Sequence, residues 1–460
     1  MQLSDIRNRP LVEKINDFLV SPTYILLVML VTAAANLFSL ELAAYTLFVL
    51  VAVYTAVLGT DLLPWVPLVV CGYLAPSVKS NPGKYTDSIF RFGHGGEYVL
   101  ILAAVVGLAI VLYILRDPKG FFRAKRKFLP GLLALGAAYL LGGLLSPAHP
   151  EFTEKNLVFA ALQAGTLLLP YYVISGGVRW DKSPKSFLCQ TGFGVGCLLV
   201  AQVVGIYLSG HVTKNGMIFR DNIFTGWGMH NNIGGMLAMM IPFAFGAFAR
   251  RRWLGTVMGA VFLVGVCMTC SRSSILAGAV IYLVCALTQL RNPQGRKGCL
   301  WALFGVLTAS AVLALVFRND LTRLFTQILR KGTSLNYRDE IWAEGFRQFR
   351  KYPVFGGGFF PIDYVPYDFS TVADFSGFFP PRWHNTVIQL LASTGVVGVL
   401  AYGFHRLQTV RILLKSKNRQ KSFIGAYMLV MVATCLFDCH FFNIGPVLFY
   451  AMTLAFAEQN

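Results

Sequence analysis

Charge is scarce in this chain, and negative charge is the scarcest. Only 13% of the 460 residues are charged, and 21 Asp and Glu residues stand against 40 Lys and Arg residues. Hydrophobic residues, by contrast, make up 55% of the chain. A soluble domain of this length has no core large enough to bury so much apolar surface. The composition therefore predicts an all-α protein that crosses a membrane many times.

Motifs of metal-dependent and nucleotide-dependent enzymes are also missing. The chain has neither an HExxH motif nor a pair of acidic residues of the metal-binding type. The glycine run Gly356–Gly358 is followed by Phe-Phe-Pro and not by the Gly-Lys-Ser/Thr of a Walker loop. We therefore expect no metal and no cofactor.

The cysteines do not indicate redox chemistry. There are nine of them, an odd number, and almost all lie inside apolar runs. Cys267 and Cys270 form a CxxC pair, but the pair stands on an apolar segment without a βαβ pattern. We interpret the cysteines as small buried hydrophobic side chains.

Apolar runs define the predicted domains. Residues 1–21 carry charges throughout, which predicts a cytoplasmic amphipathic arm and not a cleavable signal peptide. Residues 22–317 are predicted to form a transmembrane bundle of about 11 spans, and residues 385–460 the C-terminal transmembrane helices. Between them, residues 318–384 form a large polar loop. About 12–14 spans are expected by length, and the candidate stretches are 22–40, 42–58, 62–78, 97–115, 129–146, 156–175, 187–209, 230–248, 253–270, 273–290, 299–317, 385–404, 424–440 and 443–457.

The positions of the basic residues predict the orientation of the chain in the membrane. With a cytoplasmic N-terminus, every strongly basic short loop falls on one side of the membrane, as the positive-inside rule requires. The C-terminus is then cytoplasmic as well, and the loop at 318–384 is extracytoplasmic. The net charge of +19 is thus explained by contact with lipid headgroups, and nucleic-acid binding is not predicted. The basic loops are "RDPKGFFRAKRK" (116–127), "RWDKSPK" (179–185), "RRR" (250–252), "RNPQGRK" (291–297) and "HRLQTVRILLKSKNRQK" (405–421).

Two features stand out in the large outer loop. The stretch "LNYRDEIWAEGFRQFRKY" (335–352) places Trp342, Phe346 and Phe349 on one helical stripe, which predicts an amphipathic helix at the membrane surface. The aromatic and acidic stretch "IDYVPYDFSTVADFSGFFPPRW" (362–383) suits sugar rings and suits an interfacial aromatic belt equally well. Both interpretations of this second stretch stay open.

Arginines accompany a histidine on the predicted outer face. Arg272 stands between two apolar runs with almost no loop, where a charge is costly. Arg338 and Arg220 fall on the same face, and several guanidinium groups together suit a phosphate or diphosphate. The alternative for each is a structural role, such as a snorkelling turn residue at Arg272.

His384 follows Pro380 and Pro381 and precedes an apolar helix. The positive end of that helix favours a neutral imidazole, which can act as a general base, whereas a bound diphosphate would favour the protonated form. The alternative is a structural histidine at a helix end. We assign such a structural role to His230, although it also precedes an asparagine.

Four ordered segments resemble the O-antigen ligase and O-antigen polymerase superfamily of bacterial inner-membrane glycosyltransferases. Together they cover about 215–440, and each is weak alone. The chain departs from the family at 230–231, where it has His-Asn in place of the usual Pro-Asn. The segments are "FRDNIFTGWGMHNNIGGMLAMMIP" (219–242), "SRSSILAG" (271–278), "RDEIWAEGFRQFRKYPVFGGGF" (338–359) and "HNTVIQLLASTGVVG" (384–398).

This resemblance implies a function and a GT-C-like helical fold. A glycan would pass from an undecaprenyl-diphosphate carrier to the hydroxyl of a glycan or lipid-glycan acceptor, with inversion and without metal, at the outer face of the cytoplasmic membrane. His384 would be the base, and Arg272 and Arg338 would hold the diphosphate. The expected substrate-binding residues are Arg220, Asn231, Arg382, Asn385 and Asp438, and His440 is a second-rank candidate beside Asp438.

The sequence leaves the finer assignment open. A ligase and a polymerase share the donor and differ in the acceptor, which variable loops would bind. A transporter or flippase of lipid-linked oligosaccharide is the alternative class, and it predicts ionisable residues through the bundle and inverted repeats. A purely structural membrane protein is a third possibility.

Overall fold

A computed structural model describes most of the chain. The described residues are 9–75, 96–147, 153–210 except 182, 183 and 185, 212–291 except 215, 216, 226 and 227, 293, 295–319 except 317, 322, 326, 338–360, and 382–459 except 419. The aromatic and acidic stretch at 362–383 lies outside them apart from its last two residues.

The described residues form an all-α membrane protein, as predicted. Five helices are long and apolar enough to cross a membrane, and a sixth span results if α1 and α2, which are bent by 67°, are counted as one. The others are shorter. The helices are α1 Pro10–Leu19, α2 Pro22–Phe38, α3 Glu41–Val57, α4 Trp65–Leu74, α5 Gly96–Arg116, α6 Pro118–Arg123, α7 Leu129–Leu145, α8 Thr153–Gly177, α9 Phe187–Leu208, α10 His230–Ala247, α11 Arg252–Met268, α12 Arg272–Leu290, α13 Arg296–Val316, α14 Arg338–Lys351, α15 Thr386–Lys415, α16 Lys421–Cys435 and α17 Ile444–Ala457.

Two short antiparallel pairs supplement the helices in the segment before α10. Strand β1 (Thr213–Lys214) pairs with β2 (Met217–Ile218). Strand β3 (Phe224–Thr225) pairs with β4 (Gly228–Met229), directly before α10. The sequence predicted a loop here, and each of these strands is only two residues long.

The chain divides into two compact units. The first unit consists of Met1–Lys125, Val173–Arg330 and Ser422–Val430. Its centre is α10, which packs against α9, α11 and α12. Every residue of α10 from Ile233 to Gly246 is buried, as expected of a helix that is apolar on all sides.

The second unit consists of Arg126–Tyr172, Lys331–Lys421 and Met431–Asn460. Its longest element is α15, which packs against α7 and α14. Helix α15 is broken at Gly395, where φ is +63°. Only glycine adopts this conformation without strain, so the break requires a glycine at position 395.

The backbone of Pro353–Gly358 fills the break in α15. The N–H of Gly357 donates to Ala392 O at 2.7 Å, and the N–H of Val396 donates to Pro353 O at 2.9 Å. A Cβ on Gly395 would lie 2.3 Å from Val354 O, and a Cβ on Gly356 would lie 2.4 Å from the carbonyl carbon of Ser393. Gly356 and Gly395 therefore form the two sides of one close backbone contact.

Helix α14 confirms the predicted helix and packs in part against the protein. Gly345 and Gln348 are buried, and Ile341 and Trp342 pack against a cluster of Trp383, Ile388 and Ala392. Phe346, which we predicted on the apolar stripe, is 43% exposed. The helix approaches α15 at Gly345, where a Cβ would lie 2.5 Å from Ile388, so the absence of a side chain permits this close contact.

Helix α15 also continues through residues that were predicted to be a basic loop. It extends to Lys415 and includes Arg406. The Arg406 guanidinium lies over the rings of Tyr402, Phe441 and Tyr450, at 4.6, 4.8 and 5.1 Å from their centroids. Cation–π contacts of this kind compensate a partly desolvated charge, which explains why the helix does not end at 404.

Candidate functional site

His384 lies in a tight turn just before α15. Its φ is +48°, in the left-handed region that residues other than glycine seldom adopt. The turn is fixed on one side by Trp383, whose buried backbone N–H donates to Gln389 Oε1 at 3.1 Å, and on the other by the capping residue Asn385. The His384 side chain is 37% exposed, so this turn presents an imidazole that a substrate can reach.

Asn385 fixes the start of α15. Its side-chain oxygen accepts from the N–H groups of Val387 and Ile388 at 2.9 and 3.1 Å, which is the usual role of an N-cap asparagine. Its Nδ2 donates to Leu436 O at 2.9 Å. Asn385 therefore ties the helix start to the end of α16, and the predicted contact with substrate remains a prediction beside this structural role.

Asp438 faces His384. Its Oδ1 lies 3.6 Å from His384 Nδ1, which is longer than a hydrogen bond but close enough for a direct electrostatic interaction. The same Oδ1 accepts from the N–H of Cys439 at 2.7 Å, and the Asp438 carbonyl accepts from Thr386 Oγ1 at 3.4 Å. The carboxylate is thus held in place by its own backbone segment.

The charge of Asp438 is stabilised by its neighbours. Burial alone would raise the pKa of this carboxyl, because only 11% of its side chain is exposed. His384, His440 and the backbone N–H of Cys439 outweigh burial and hold the pKa well below its usual range. The carboxylate is consequently ionised at neutral pH and places a fixed negative charge beside Nδ1 of His384.

His440 follows Asp438 by two residues, interacts with its charge and is 1% exposed. Burial lowers the pKa of His440 and Asp438 raises it, while the positive charges of Arg382 and Arg338 lower it further. The two predicted arginines therefore act on the same buried imidazole. Among the described residues, His440 Nδ1 has no hydrogen-bond partner.

Arg382 and Arg338 are positioned by two different elements. Arg382 directly precedes the Trp383–His384 turn and donates from Nη1 to Asn443 Oδ1, next to the start of α17. Arg338 is the first residue of α14, which packs against α15. We name the set of His384, Asp438, His440, Arg382 and Arg338 the His384 cluster.

The remaining predicted residues lie in the first unit. Arg272 is the first residue of α12, after the N-cap Ser271, and Asn231 is the second residue of α10. Arg220 begins a short 3₁₀ turn. Burial raises the pKa of the Cys270 thiol, whereas the Tyr207 hydroxyl and the charge of Arg220 lower it. Arg220 therefore acts on a residue two positions from Arg272.

The predicted site residues thus form two groups. Arg338, Arg382, His384, Asn385 and Asp438 belong to the second unit, and Arg220, Asn231 and Arg272 belong to the first. The predicted residues of the second unit belong to the His384 cluster, except Asn385, which caps α15. That the arginines of the first unit join the cluster stays a prediction.

His230, to which we assigned a structural role, is the first residue of α10 and is 3% exposed. Its burial accords with that assignment. In the described part of the chain, no group of three His, Cys, Asp or Glu side chains is arranged to hold a metal ion.

Sequence reasoning missed Asn443 and Gln389. Asn443 accepts from Arg382, and Gln389 holds the backbone of Trp383 and accepts from Cys439 Sγ at 3.5 Å. Asn443 stands at the start of a span, and Gln389 is a polar residue within one. Polar residues at such positions are costly without a partner, and this cost is the feature that could have identified both.

A family model matches part of the chain. Residues 257–403 match the O-Antigen ligase family, which confirms the predicted resemblance. The matched segment contains Arg272, Arg338, Arg382, His384 and Asn385. No curated protein matches the chain. The family match and the apolar helices support a multi-pass membrane protein with an O-antigen ligase or polymerase type of function, that is, a transferase of polysaccharide biosynthesis.

Proposed function

We propose that the chain transfers a glycan from an undecaprenyl-diphosphate carrier to an acceptor hydroxyl, in the manner of an O-antigen ligase or polymerase. One observation carries the proposal: an accessible imidazole stands beside an ionised carboxylate, with two arginine charges acting on the same cluster. The match of residues 257–403 supports the reaction class.

His384 is the proposed base. The Asp438 carboxylate favours the tautomer with hydrogen on Nδ1, and this leaves the Nε2 lone pair for the acceptor. The acceptor oxygen attacks the anomeric carbon, and its proton passes to Nε2. The bond between that carbon and the diphosphate oxygen breaks with inversion, and the electron pair stays on the diphosphate.

In this proposal the arginines stabilise the negative charge that develops on the leaving diphosphate. Diphosphate is a good leaving group, so positively charged groups placed where its charge develops can supply most of the rate enhancement. Arg338 and Arg272 are the proposed diphosphate contacts, and Arg220 is a proposed substrate-binding residue. Arg382, Asn385 and Asn231 are proposed to contact the substrates.

The proposed site faces the outside of a bacterial cytoplasmic membrane, and both termini face the cytoplasm. The positive-inside rule supports this orientation, since the basic loops then lie in the cytoplasm. The lipid carrier explains a site at the end of a membrane-spanning helix. We propose a GT-C-like arrangement for the whole bundle.

A transfer assay tests the proposal. Purified protein is mixed with an undecaprenyl-diphosphate-linked glycan and a candidate acceptor, and free undecaprenyl diphosphate is quantified. We expect its release by the parent protein and a loss on the order of 10²–10⁴ in rate for His384→Gln, the range that a general base contributes. Full turnover by His384→Gln would reject the base assignment.

The same assay distinguishes the transporter alternative. A flippase would move the labelled donor across a vesicle membrane and leave its glycosidic diphosphate bond intact. Movement of donor without release of free carrier would therefore replace the transferase proposal with the transporter. Offering a second molecule of donor or a lipid-linked core as acceptor then separates polymerase from ligase.

A further inference from the structure

A basic cavity lies far from His384 along α15, near the other end of that helix. Its volume is about 560 Å³, and it is lined by Lys127, Phe404, Gln408, Arg411, Ile412, Lys415 and Ser416. All of these residues belong to the second unit. Small-molecule sites typically measure roughly 300–1,000 Å³, so the cavity is large enough for a headgroup.

Most of the lining comes from one stripe of α15. Phe404, Gln408, Arg411 and Lys415 recur at helical spacing, so their side chains project toward the same side. The opposite wall is the segment before α7. Gln408 joins the two walls, since its Nε2 donates to Lys127 O at 2.8 Å and its Oε1 accepts from the N–H of Gly131 at 3.0 Å.

Three basic side chains line the cavity, and two of them come from α15. Arg411 and Lys415 are one turn apart and exposed, and neither has an ion-pair partner among the described residues. Like charges at this spacing repel each other. The ammonium group of Lys127 donates to the backbone carbonyl of Glu458 at 3.0 Å, and its charge also acts on the Glu458 carboxyl, where it opposes the effect of burial on the pKa.

Glu458 is an acidic residue beside this wall, and its carboxylate is held by the backbone of Lys127 and by Tyr171. Its Oε2 accepts from the N–H of Lys127 at 2.6 Å and from the Tyr171 hydroxyl at 2.8 Å. Burial raises the pKa of Glu458 to about 7. The carboxyl is therefore partly neutral near pH 7 and offsets the three cations only in part.

The surroundings of the cavity are apolar and exposed. Phe404 in its wall is 48% exposed, and Ile412 lies beside it. In a membrane helix such residues face acyl chains. The remaining outward-facing residues of this part of α15 are Leu400, Leu407, Val410 and Leu414, which are 54–76% exposed.

We propose that this cavity binds the phosphate headgroup of an anionic phospholipid, with Arg411, Lys415 and Lys127 around the phosphate and Phe404 and Ile412 against the acyl chains. A basic pocket beside membrane helices is the usual form of such sites. The apolar wall favours a lipid over free phosphate. The assignment is independent of the transfer reaction at His384.

Native mass spectrometry of the full chain tests this site. Protein is released from phosphatidylcholine vesicles that contain phosphatidylglycerol, and the retained phosphatidylglycerol is counted. The test variant is Arg411→Gln with Lys415→Gln. The matched control is Arg250→Gln with Arg251→Gln, which removes the same charge from an exposed loop outside the cavity.

We expect the test variant to bind phosphatidylglycerol roughly 30-fold more weakly than the parent, from the usual contribution of two basic residues near a lipid surface. The control should retain as much lipid as the parent. Equal retention by the test variant and the control would overturn the proposal. So would full displacement of the lipid by excess inorganic phosphate, which would identify a site for free phosphate.

The two proposals fail separately. Lipid retention is measured without any glycan donor, so inactivity in the transfer assay leaves it unchanged. Conversely, His384→Gln should retain phosphatidylglycerol at the parent level, because the substitution is distant along α15. Loss of retention in that variant would contradict the placement of the site.

Discussion

His384 Nδ1 and Asp438 Oδ1 face each other across 3.6 Å, although they lie in different loops of the chain. One residue stands at the start of α15, and the other follows α16. The carboxylate is held by a backbone N–H and stays ionised, while the imidazole remains accessible. Such a pair fixes which nitrogen of the ring meets the substrate.

Asp438→Asn tests the role of this pair. An amide keeps the size of the side chain but removes the charge opposite Nδ1, so more of the imidazole adopts the unproductive tautomer. We expect the rate constant for glycan transfer to fall by roughly 10-fold or more, with a smaller change in KM for the donor. Steady-state kinetics at several pH values measures both quantities.

A structural role for Asp438 would give a different result. In that case Asp438→Asn would lower the melting temperature and leave the pH–rate profile unchanged in shape. Asp438→Glu provides the second comparison, because it keeps the charge and should restore part of the rate. Full activity of Asp438→Asn at every pH would reject the positioning role.

Arg338 is predicted to act on the donor. In Arg338→Gln the diphosphate loses a positive partner, and the rate should fall by on the order of 10²-fold, the usual loss of one group that stabilises developing charge. Arg350→Gln is the matched control, since Arg350 is an exposed residue in the last turn of the same helix. Parallel transfer assays of the two variants make the comparison, and equal rates would rule out a special role for Arg338.

Gly395 is predicted to be intolerant of any side chain. In Gly395→Ala the new Cβ would lie 2.3 Å from Val354 O at a φ of +63°, so both a clash and backbone strain oppose folding. A residue forced into this conformation costs roughly 1–3 kcal/mol, and the clash adds to this. Thermal unfolding in detergent should show a clearly lowered midpoint.

Gly403→Ala is the control for this prediction. Gly403 lies in the same helix, and nothing stands within 4 Å of its Cβ position. Alanine favours a helix over glycine by about 0.5–1 kcal/mol, so the melting temperature should stay or rise. A comparable loss of stability in both variants would show that the contact with Val354 is not what constrains Gly395.

The helical fold could be predicted from the sequence because apolar runs and basic loops are visible in the local order of residues. Contacts between residues that are distant in the chain could not be predicted. Asp438 was placed with the substrate-binding residues, and nothing local indicated that it faces His384. Residues Gly356 and Gly395 likewise appeared in two separate motifs, and only the structure unites them in one backbone contact.

Two features of the helices were not predicted. The aromatic stripe of α14 was predicted to lie at the membrane surface, but nothing indicated that α14 contacts α15 at Gly345, where a Cβ would meet Ile388. The end of α15 was assigned from its charges, but three aromatic rings surround Arg406. In both cases the feature depends on tertiary packing, which is not visible in a single sequence.

Glu458 provides a prediction about pH and stability. Burial raises the pKa of Glu458 to about 7 from an ordinary value of 4.5. Between these values the folded protein keeps a proton that the unfolded chain releases, so stability falls as the pH rises through this window and levels off above it.

Glu458→Gln removes the titration but can still accept from Tyr171 and the N–H of Lys127. Relative to the parent, the variant should therefore gain stability from pH 5 to pH 8, by at most about 3 kcal/mol. The difference between the two melting temperatures across this range measures the effect, and it cancels the contributions of all other titrating groups. A constant difference from pH 5 to pH 8 would mean that Glu458 is already ionised in the folded protein at pH 5.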